Sequence, residues 1–564
     1  MIRTELQEEN VVMNNEKGIR FGCFLFAYML IPFMLYGCSA GPKQEKASSQ
    51  ENEHIEPDTS GFIVAVEEEP DTVDFQCTSI HYTVAQNVFN RLVEMENNTH
   101  GSAIVLPSLA KDWEVSEDGC EYTFHLKEGV TFSNGSPLTS SDVLYSFTRL
   151  LTHPDSCNQD IVEEILGADE LKSGKTDKLE GFEVLSDFDF TITLKQPFAA
   201  FLACLSMPGA SIMDEETTEK AGERFGKDPE WTIGTGSYIL WKWIPKEGML
   251  LRANKDCWLG APENEGLDLR FMTEAKAQED LFEQGGLDIL DLNELGNDAE
   301  FYMNAQEYKD RLFRVHPVGI TYIALNESVE PLDNDLVRRA LQYALDRDAL
   351  LDSVYKGRGS IENGIFPHGL YGYNDKLPKI PYDPDEAESL LSEAGYADGF
   401  DLTISLKSSA TKGERDLMEM AASMWQKVGV RAEVKVIEES EWMSLRKCGQ
   451  MACYSATWTA DYNDPDNFIY TFFGNKENTT FRSLCYPREE IMERVRKART
   501  ITDHNLRLAE YRELEQIIVQ EDAAWIPLFS RLRYYVKGDR LEGMKASWNG
   551  SVKNNYRLMS VNKE

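Results

Sequence analysis

Leu402-Thr403-Ile404-Ser405-Leu406, an amphipathic run carrying Leu417, Ala421, Ala422, Trp425 and Val428, then Gly429 and the alternating Val430, Ala432, Val434 and Val436 decide the fold. The first five residues suit a buried strand, the second set recurs at helical spacing, and the third alternates with period two. Strand, helix and strand in that order make a parallel, right-handed crossover, because parallel neighbours cannot be joined by a tight hairpin. The chain is therefore read as α/β. At 564 residues it exceeds what one hydrophobic core serves, so at least two lobes are expected.

Towards the C-terminus, Met451-Ala452-Cys453-Tyr454-Ser455-Ala456-Thr457-Trp458 reads as the next strand, stopped by the turn chemistry of Asn463-Asp464-Pro465-Asp466. Asp461 falls where that strand runs out, and open α/β sheets bind ligands beyond the carboxyl ends of their strands. An aromatic ring at Trp458, three residues before an acid, suits a ligand with a positive head and an apolar body. A solvated turn is the plain alternative. A calcium loop would need an oxygen ligand and then Gly where Pro465 and Asp466 stand, so no metal is expected. Further on, Tyr511, Leu514, Ile517 and Ile518 mark a helix, and residues 526–529 and 534–536 carry the chain back towards the first lobe.

Towards the N-terminus, Asp383-Pro384 opens a helix that Gly395 ends. Residues 322–326 are a strand, followed by a helix capped by Asp333 or Asn334 with Leu336, Ala340, Leu341, Ala344 and Leu345 as its stripe. Arg338 and Arg339 on that helix are read as solvated or salt-bridged. Gly234 and Gly236 permit a tight crossing, expected between the lobes, ahead of a strand at 238–241. Thr139 and Asp142 form a capping box for a helix bearing Val143, Leu144, Phe147, Leu150 and Leu151. Asn134-Gly135 is a turn, residues 121–126 and 62–66 are strands, and residues 83–93 show helical spacing.

A net charge of -39 argues against nucleic acid and against an anionic membrane surface; it would draw in cationic or amine-bearing ligands, and solubility alone is the plainer reading of most of those charges. Ten cysteines are present, eight of them beyond the N-terminal apolar segment, and no C-x-x-C pair supports zinc or thioredoxin-like chemistry. Neither G-x-S-x-G nor H-E-x-x-H occurs, so no catalytic residue and no cofactor are expected, and the chain is read as a non-enzyme. Lys17 and Arg20 precede an apolar stretch at 21–36, which reads as a secretory signal. That stretch ends in Leu35-Tyr36-Gly37-Cys38, which resembles a bacterial lipobox and implies cleavage before Cys38 and a lipid on its sulfur. Met13 is an alternative start. The polar run up to Ser60 reads as a flexible tether.

Several blocks then carry a family resemblance. Tyr122-Thr123-Phe124-His125-Leu126-Lys127, Gly129-Val130, Phe132-Ser133-Asn134-Gly135-Ser136-Pro137 and Asp142-Val143 resemble the signature of the family 5 extracellular solute-binding proteins. Ile233-Gly234-Thr235-Gly236-Ser237-Tyr238 is similar to the family's G-T-G-P-Y segment with Ser in place of Pro. Tyr322-Ile323-Ala324-Leu325-Asn326, Pro331-Leu332-Asp333 and Val337-Arg338-Arg339-Ala340-Leu341 match its next block.

The resemblance implies a two-lobed, periplasmic-binding-protein-like clamshell of type II, with an extra subdomain inserted in lobe I. The implied division is a signal at 1–37, a tether at 38–60, lobe I at 61–90, the inserted subdomain at 91–195, lobe I again at 196–315, lobe II at 316–528 and a lobe I return at 529–564. It implies a monomeric lipoprotein that captures di- to oligopeptides and hands them to the permease of an ATP-driven (ABC) importer. Its expected place is the outer face of the cytoplasmic membrane, with a Gram-positive source favoured by the tether. In the Trp-x-x-Asp-Tyr-Asn segment, Asp461 would pair with the peptide's α-ammonium, Trp458 would wall a pocket, and Thr457 and Thr459 would lend backbone groups. Tyr462 and Asn463 complete that ligand-binding segment. Ser455 stands where some relatives carry a base for the peptide carboxylate. A metal chelate, haem, sugar or other small molecule as ligand, or a peptide-signal receptor, are the alternatives.

Overall fold

The computed structural model describes residues 61–66, 68–78, 82–97, 103–293, 295, 299–552 and 556–562. The signal segment, Cys38 and the tether lie outside the described residues. The deciding stretch forms strand Asp401–Lys407, helix Lys412–Lys427 and strand Arg431–Ile437, with the two strands parallel from Asp401↔Arg431 to Lys407↔Ile437. The helix starts where it does because Thr411 and Glu414 close a capping box, Thr411 N–H donating to Glu414 Oε2 at 2.7 Å. Leu417, Ala421, Ala422 and Trp425 are buried, and the Trp425 indole N–H donates to the Leu341 carbonyl at 2.9 Å. A Cβ on Gly399 would sit 1.8 Å from the Gly429 carbonyl oxygen, at a φ of +70° that already favours glycine.

These strands belong to a six-stranded sheet ordered Gly359–Ile361, Trp525–Arg531, Gly319–Leu325, Cys453–Thr459, Asp401–Lys407, Arg431–Ile437. A seven-stranded sheet runs Leu312–Val315, Arg533–Lys537, Ile289–Asp291, Phe62–Val66, Gly266–Phe271, Gly248–Ala253, Tyr238–Ile244. The chain passes from the second sheet to the first between Val315 and Gly319, and returns between Arg531 and Arg533. A four-stranded sheet of Ala110–Val115, Glu121–Leu126, Asp189–Thr193 and Phe182–Val184 carries helix Ser140–Thr152 on its apolar face. Phe124, Phe190 and Phe182 stack there at centroid spacings of 5.3 and 4.9 Å. The helix begins at the expected capping box, with Thr139 N–H donating to Asp142 Oδ2 at 2.8 Å.

Three local readings change. The helix expected over 83–93 spans only Thr83–Val88, and Val93–Asn97 is a strand. Its stop is tertiary: the Gly236 N–H donates to the Val88 carbonyl at 2.8 Å. Gly234 and Gly236 are tight for that reason. A Cβ on Gly234 would lie 2.1 Å from the Val88 oxygen, so they press on the end of this helix and do not form a crossing between lobes. Arg338 is salt-bridged but not solvated: it is buried, 3.1 Å from Glu327, and donates to the Asp522 and Leu332 carbonyls. All eight described cysteines are free thiols.

Candidate functional site

Strand Cys453–Thr459 is laddered along one edge to Gly319–Leu325, from Leu325↔Cys453 to Gly319↔Thr459. On its other edge, pairing with Asp401–Lys407 is confined to Ile404↔Cys453, so from Tyr454 to Thr459 that edge has no strand neighbour among the described residues. The Ala460 N–H closes the last rung on the Val318 carbonyl at 2.8 Å. Pro465, without an N–H to give, then leads into helix Asp466–Phe473.

Two buried arginines hold this loop. Arg507 meets both Asp464 oxygens, at 2.8 and 2.5 Å. Arg499 lies 3.0 Å from the fully buried Asp466, which also accepts from the Tyr462 and Tyr511 hydroxyls at 3.0 and 3.2 Å. The strand end is therefore fixed before any ligand arrives, as a binding site on a rigid element should be.

Asp461 projects from this frame. Asn467, the second residue of the helix, accepts from the Asp461 N–H at 3.0 Å and donates to Asp461 Oδ2 at 3.0 Å. The same Asn467 oxygen accepts from the Trp458 indole N–H at 3.3 Å, so one amide orients both the acid and the ring. Asp461 Oδ1 has no hydrogen-bond partner among the described residues. Two adjoining cavities share Asp461, of about 440 and 540 Å³, within the size range of small-ligand sites. The first is lined by Trp458, Asn467, Tyr470 and Arg482 and by Asp160, Glu163, Phe198 and Met207. The second is lined by Asn90, Arg91, Trp258 and Trp548.

Asp461 is exposed to the cavity, while the protein packed around its stem partly desolvates the carboxyl. That burial pushes its carboxyl up to about 6, against the opposing pull of the Asn467 hydrogen bond, with Asp160 adding to the rise and Arg482 opposing it. Burial likewise raises Asp160 and, with the neighbouring Asp160 and Glu164 charges, Glu163. Three carboxyls that resist ionisation converge on one cavity, an arrangement that favours a cationic group between them.

The structure distributes the expected site residues unevenly. Asp461, Trp458 and Tyr462 line the first cavity. Tyr462 is buried and packs with the core of the four-stranded region. Asn463 is buried too, its side chain donating to the Gly369 carbonyl at 3.0 Å and accepting from the Tyr371 N–H. Thr457 and Thr459 are exposed on the strand, the Thr457 hydroxyl 2.9 Å from that of Thr321. Asn467, Asp160, Glu163 and Arg482 are cavity residues that sequence reasoning missed. Asn467 had a signal, an amide in the first turn of the helix that follows the acid; Asp160 and Glu163 lie some 300 positions from Asp461 and had none.

The chain matches the bacterial extracellular solute-binding proteins, family 5 middle domain, over residues 105–480. It is 30% identical over 478 residues to the dipeptide-binding protein of Escherichia coli K12, covering 80% of this chain and 86% of that one. It is 28% identical over 473 residues to heme-binding protein A of Haemophilus influenzae, covering 81% and 84%. The periplasmic binding protein DppA of Helicobacter pylori, solved in complex with the peptide STSA, superposes with a TM-score of 0.73 at 23% identity, over 89% of this chain and 98% of that one. The clamshell architecture is thus that of periplasmic binding proteins, and the chain belongs to the bacterial extracellular solute-binding proteins of family 5.

Proposed function

We propose that this protein captures peptides with a free amino terminus between two closing lobes and delivers them to the permease of an ABC importer, without catalysing a reaction. The observation that carries this reading is the unpaired edge of strand Cys453–Thr459 running up to Asp461, whose Oδ1 has no partner among the described residues and faces a 440 Å³ cavity. An extended peptide can add to such an edge through main-chain hydrogen bonds, with its α-ammonium meeting the carboxylate. Thr457 and Thr459 would supply those backbone groups, and Trp458 would cover the first side chain. Two relatives named for dipeptide binding and for a peptide complex support the ligand class.

On the same reading the lobes divide near residues 316 and 531, where the chain changes sheets, and closure is a hinge motion about those two passages. Cys38 would carry the lipid that holds a monomer at the outer face of the membrane. The test is mass spectrometry of small molecules released by acid from the purified body lacking residues before Ser60. A ladder of mixed peptides is expected. One dominant non-peptide species, such as a haem, would overturn the role given to Asp461.

A further inference from the structure

Arg499, the last residue of helix Glu489–Arg499, is a buried guanidinium that serves two distant parts of the chain at once. On its own side of the passages near 316 and 531, its Nε lies 3.0 Å from the Asp466 carboxylate, and its guanidinium lies 3.7 Å from the Tyr470 ring centroid. On the other side, Nη1 donates to Glu164 Oε1 at 3.2 Å, and the guanidinium lies 4.4 Å from the Phe198 ring centroid. The Arg499 carbonyl adds a third link by accepting from the Ala199 N–H at 3.3 Å. Phe198 belongs to the core beneath the four-stranded sheet, and Glu164 precedes Ile165 of that same core.

These links are strong for their kind. The Arg499 and Glu164 side chains are 9% and 15% exposed, so the pair is not one of the solvated surface bridges that contribute little. Removing either partner leaves the other desolvated and short of a counter-charge. The links also meet an opposing force. Asp160 and Glu163, next to Glu164 in the chain, line the cavity that holds Asp461. In an empty cleft those carboxyls repel across the seam, and Arg499 places a positive charge there to offset them.

We infer that Arg499 and Glu164 form a clasp that holds the clamshell shut with no ligand inside, so that a ligand enters through transient opening. The inference rests on the division into lobes proposed above and not on the ligand being a peptide. A protein that is mostly closed when empty offers a small open fraction, and its apparent affinity is reduced by that fraction. Weakening the clasp therefore speeds entry as well as release.

Amide hydrogen exchange tests this without a ligand. Ala199 is exposed, and the bond that shelters its N–H is the one to the Arg499 carbonyl, so its exchange reports opening of the seam. The protein is freed of bound small molecules by dialysis in urea and refolded. In the empty wild type the Ala199 amide should exchange at least tenfold more slowly than a free amide. Glu164→Ala should raise that rate roughly tenfold to a hundredfold, the size of one lost charge-assisted hydrogen bond. Strand Asp401–Lys407, which takes no part in the seam, should keep its rate. Glu164→Gln, which keeps the oxygen and loses the charge, should fall between wild type and Ala, and it carries the test should the Ala variant not fold. An unprotected Ala199 in the empty wild type would mean that the clamshell rests open, and the inference falls whatever the variants do. A change below twofold in Glu164→Ala would mean that closure does not depend on this pair. A rise shared equally by residues 401–407 would mean lost global stability in place of opening, and would overturn the clasp as well. Because no ligand enters the experiment, its outcome is separate from that of the peptide reading.

Discussion

Asp461→Asn is the substitution that isolates charge from shape. Asn at this position keeps an oxygen able to accept from Asn467 Nδ2, the 3.0 Å bond that orients the side chain, so the strand end and the Trp458 indole should stay where they are. What is lost is one unit of negative charge opposite the ligand's ammonium. At about 4 Å and an effective dielectric near 20 that attraction is about 4 kcal/mol, and the water in the cleft discounts it to about 2–4 kcal/mol. The expected loss of affinity for a free-amine peptide is therefore on the order of thirtyfold to a thousandfold.

Calorimetric titration of a dipeptide and of its N-acetyl derivative checks the sign as well as the size. The wild type should discriminate strongly between them, and the Asn variant hardly at all. Asp461→Glu, which keeps the charge on a longer stem, should fall between the two. A loss below threefold for Asp461→Asn, with N-acetyl peptides still rejected, would show that another group reads the amine and would refute the reasoning.

Two further outcomes follow from the same site. With the empty-cleft carboxyl near 6, binding an ammonium below that pH requires a proton to leave first. Peptide affinity should fall roughly eightfold between pH 6.5 and 5, a dependence that Asp461→Asn abolishes, and should fall again above about pH 8 as the peptide's own α-amine loses its proton. The empty protein should run the other way: a carboxyl raised above its unfolded value gains stability as pH falls through about 6 towards 4. Arg507→Leu leaves the buried Asp464 without the two hydrogen bonds it accepts from the guanidinium, and with only the Asp466 N–H. It should cost about 3–5 kcal/mol in urea unfolding, with part recovered when Asp464→Asn is added; a cost under 1 kcal/mol would contradict the role given to this pair in holding the loop.

The elements that the sequence reveals are those whose causes are local. Thr411 with Glu414, and Thr139 with Asp142, start their helices by side chains three residues apart, and the 402–437 unit reads correctly because each of its three periods sits within its own segment. Where the cause lies elsewhere in the chain, the reading goes astray. Helix Thr83–Val88 ends because a backbone N–H some 148 positions later takes the Val88 carbonyl, and nothing between 83 and 93 reports that. The site divides in the same way. Asp461 and Trp458 are visible because a strand end and a Pro turn frame them within a few residues. Asp160, Glu163 and Arg482 join them only through the packing of separate segments, and Asn463 is drawn away into bonds with residues 369 and 371.

The charge of the chain as a whole explains less about recognition than its size suggests. At physiological ionic strength exposed charges are screened over about 8 Å, so a net charge of -39 sets solubility and does not select a ligand inside a cleft. Selection comes from groups that water cannot fully screen. In this cavity those are the carboxyls of Asp461, Asp160 and Glu163, each raised by partial desolvation. A peptide reading makes use of them: the strand edge addresses the main chain common to all peptides, and Asp461 addresses the amino end. The side chains are then left to hydrated space, where bridging water tolerates variety. Breadth in sequence and strictness about the amino terminus therefore arise from the same geometry, and a site of this kind should discriminate a modified amino end far more sharply than most changes of side chain.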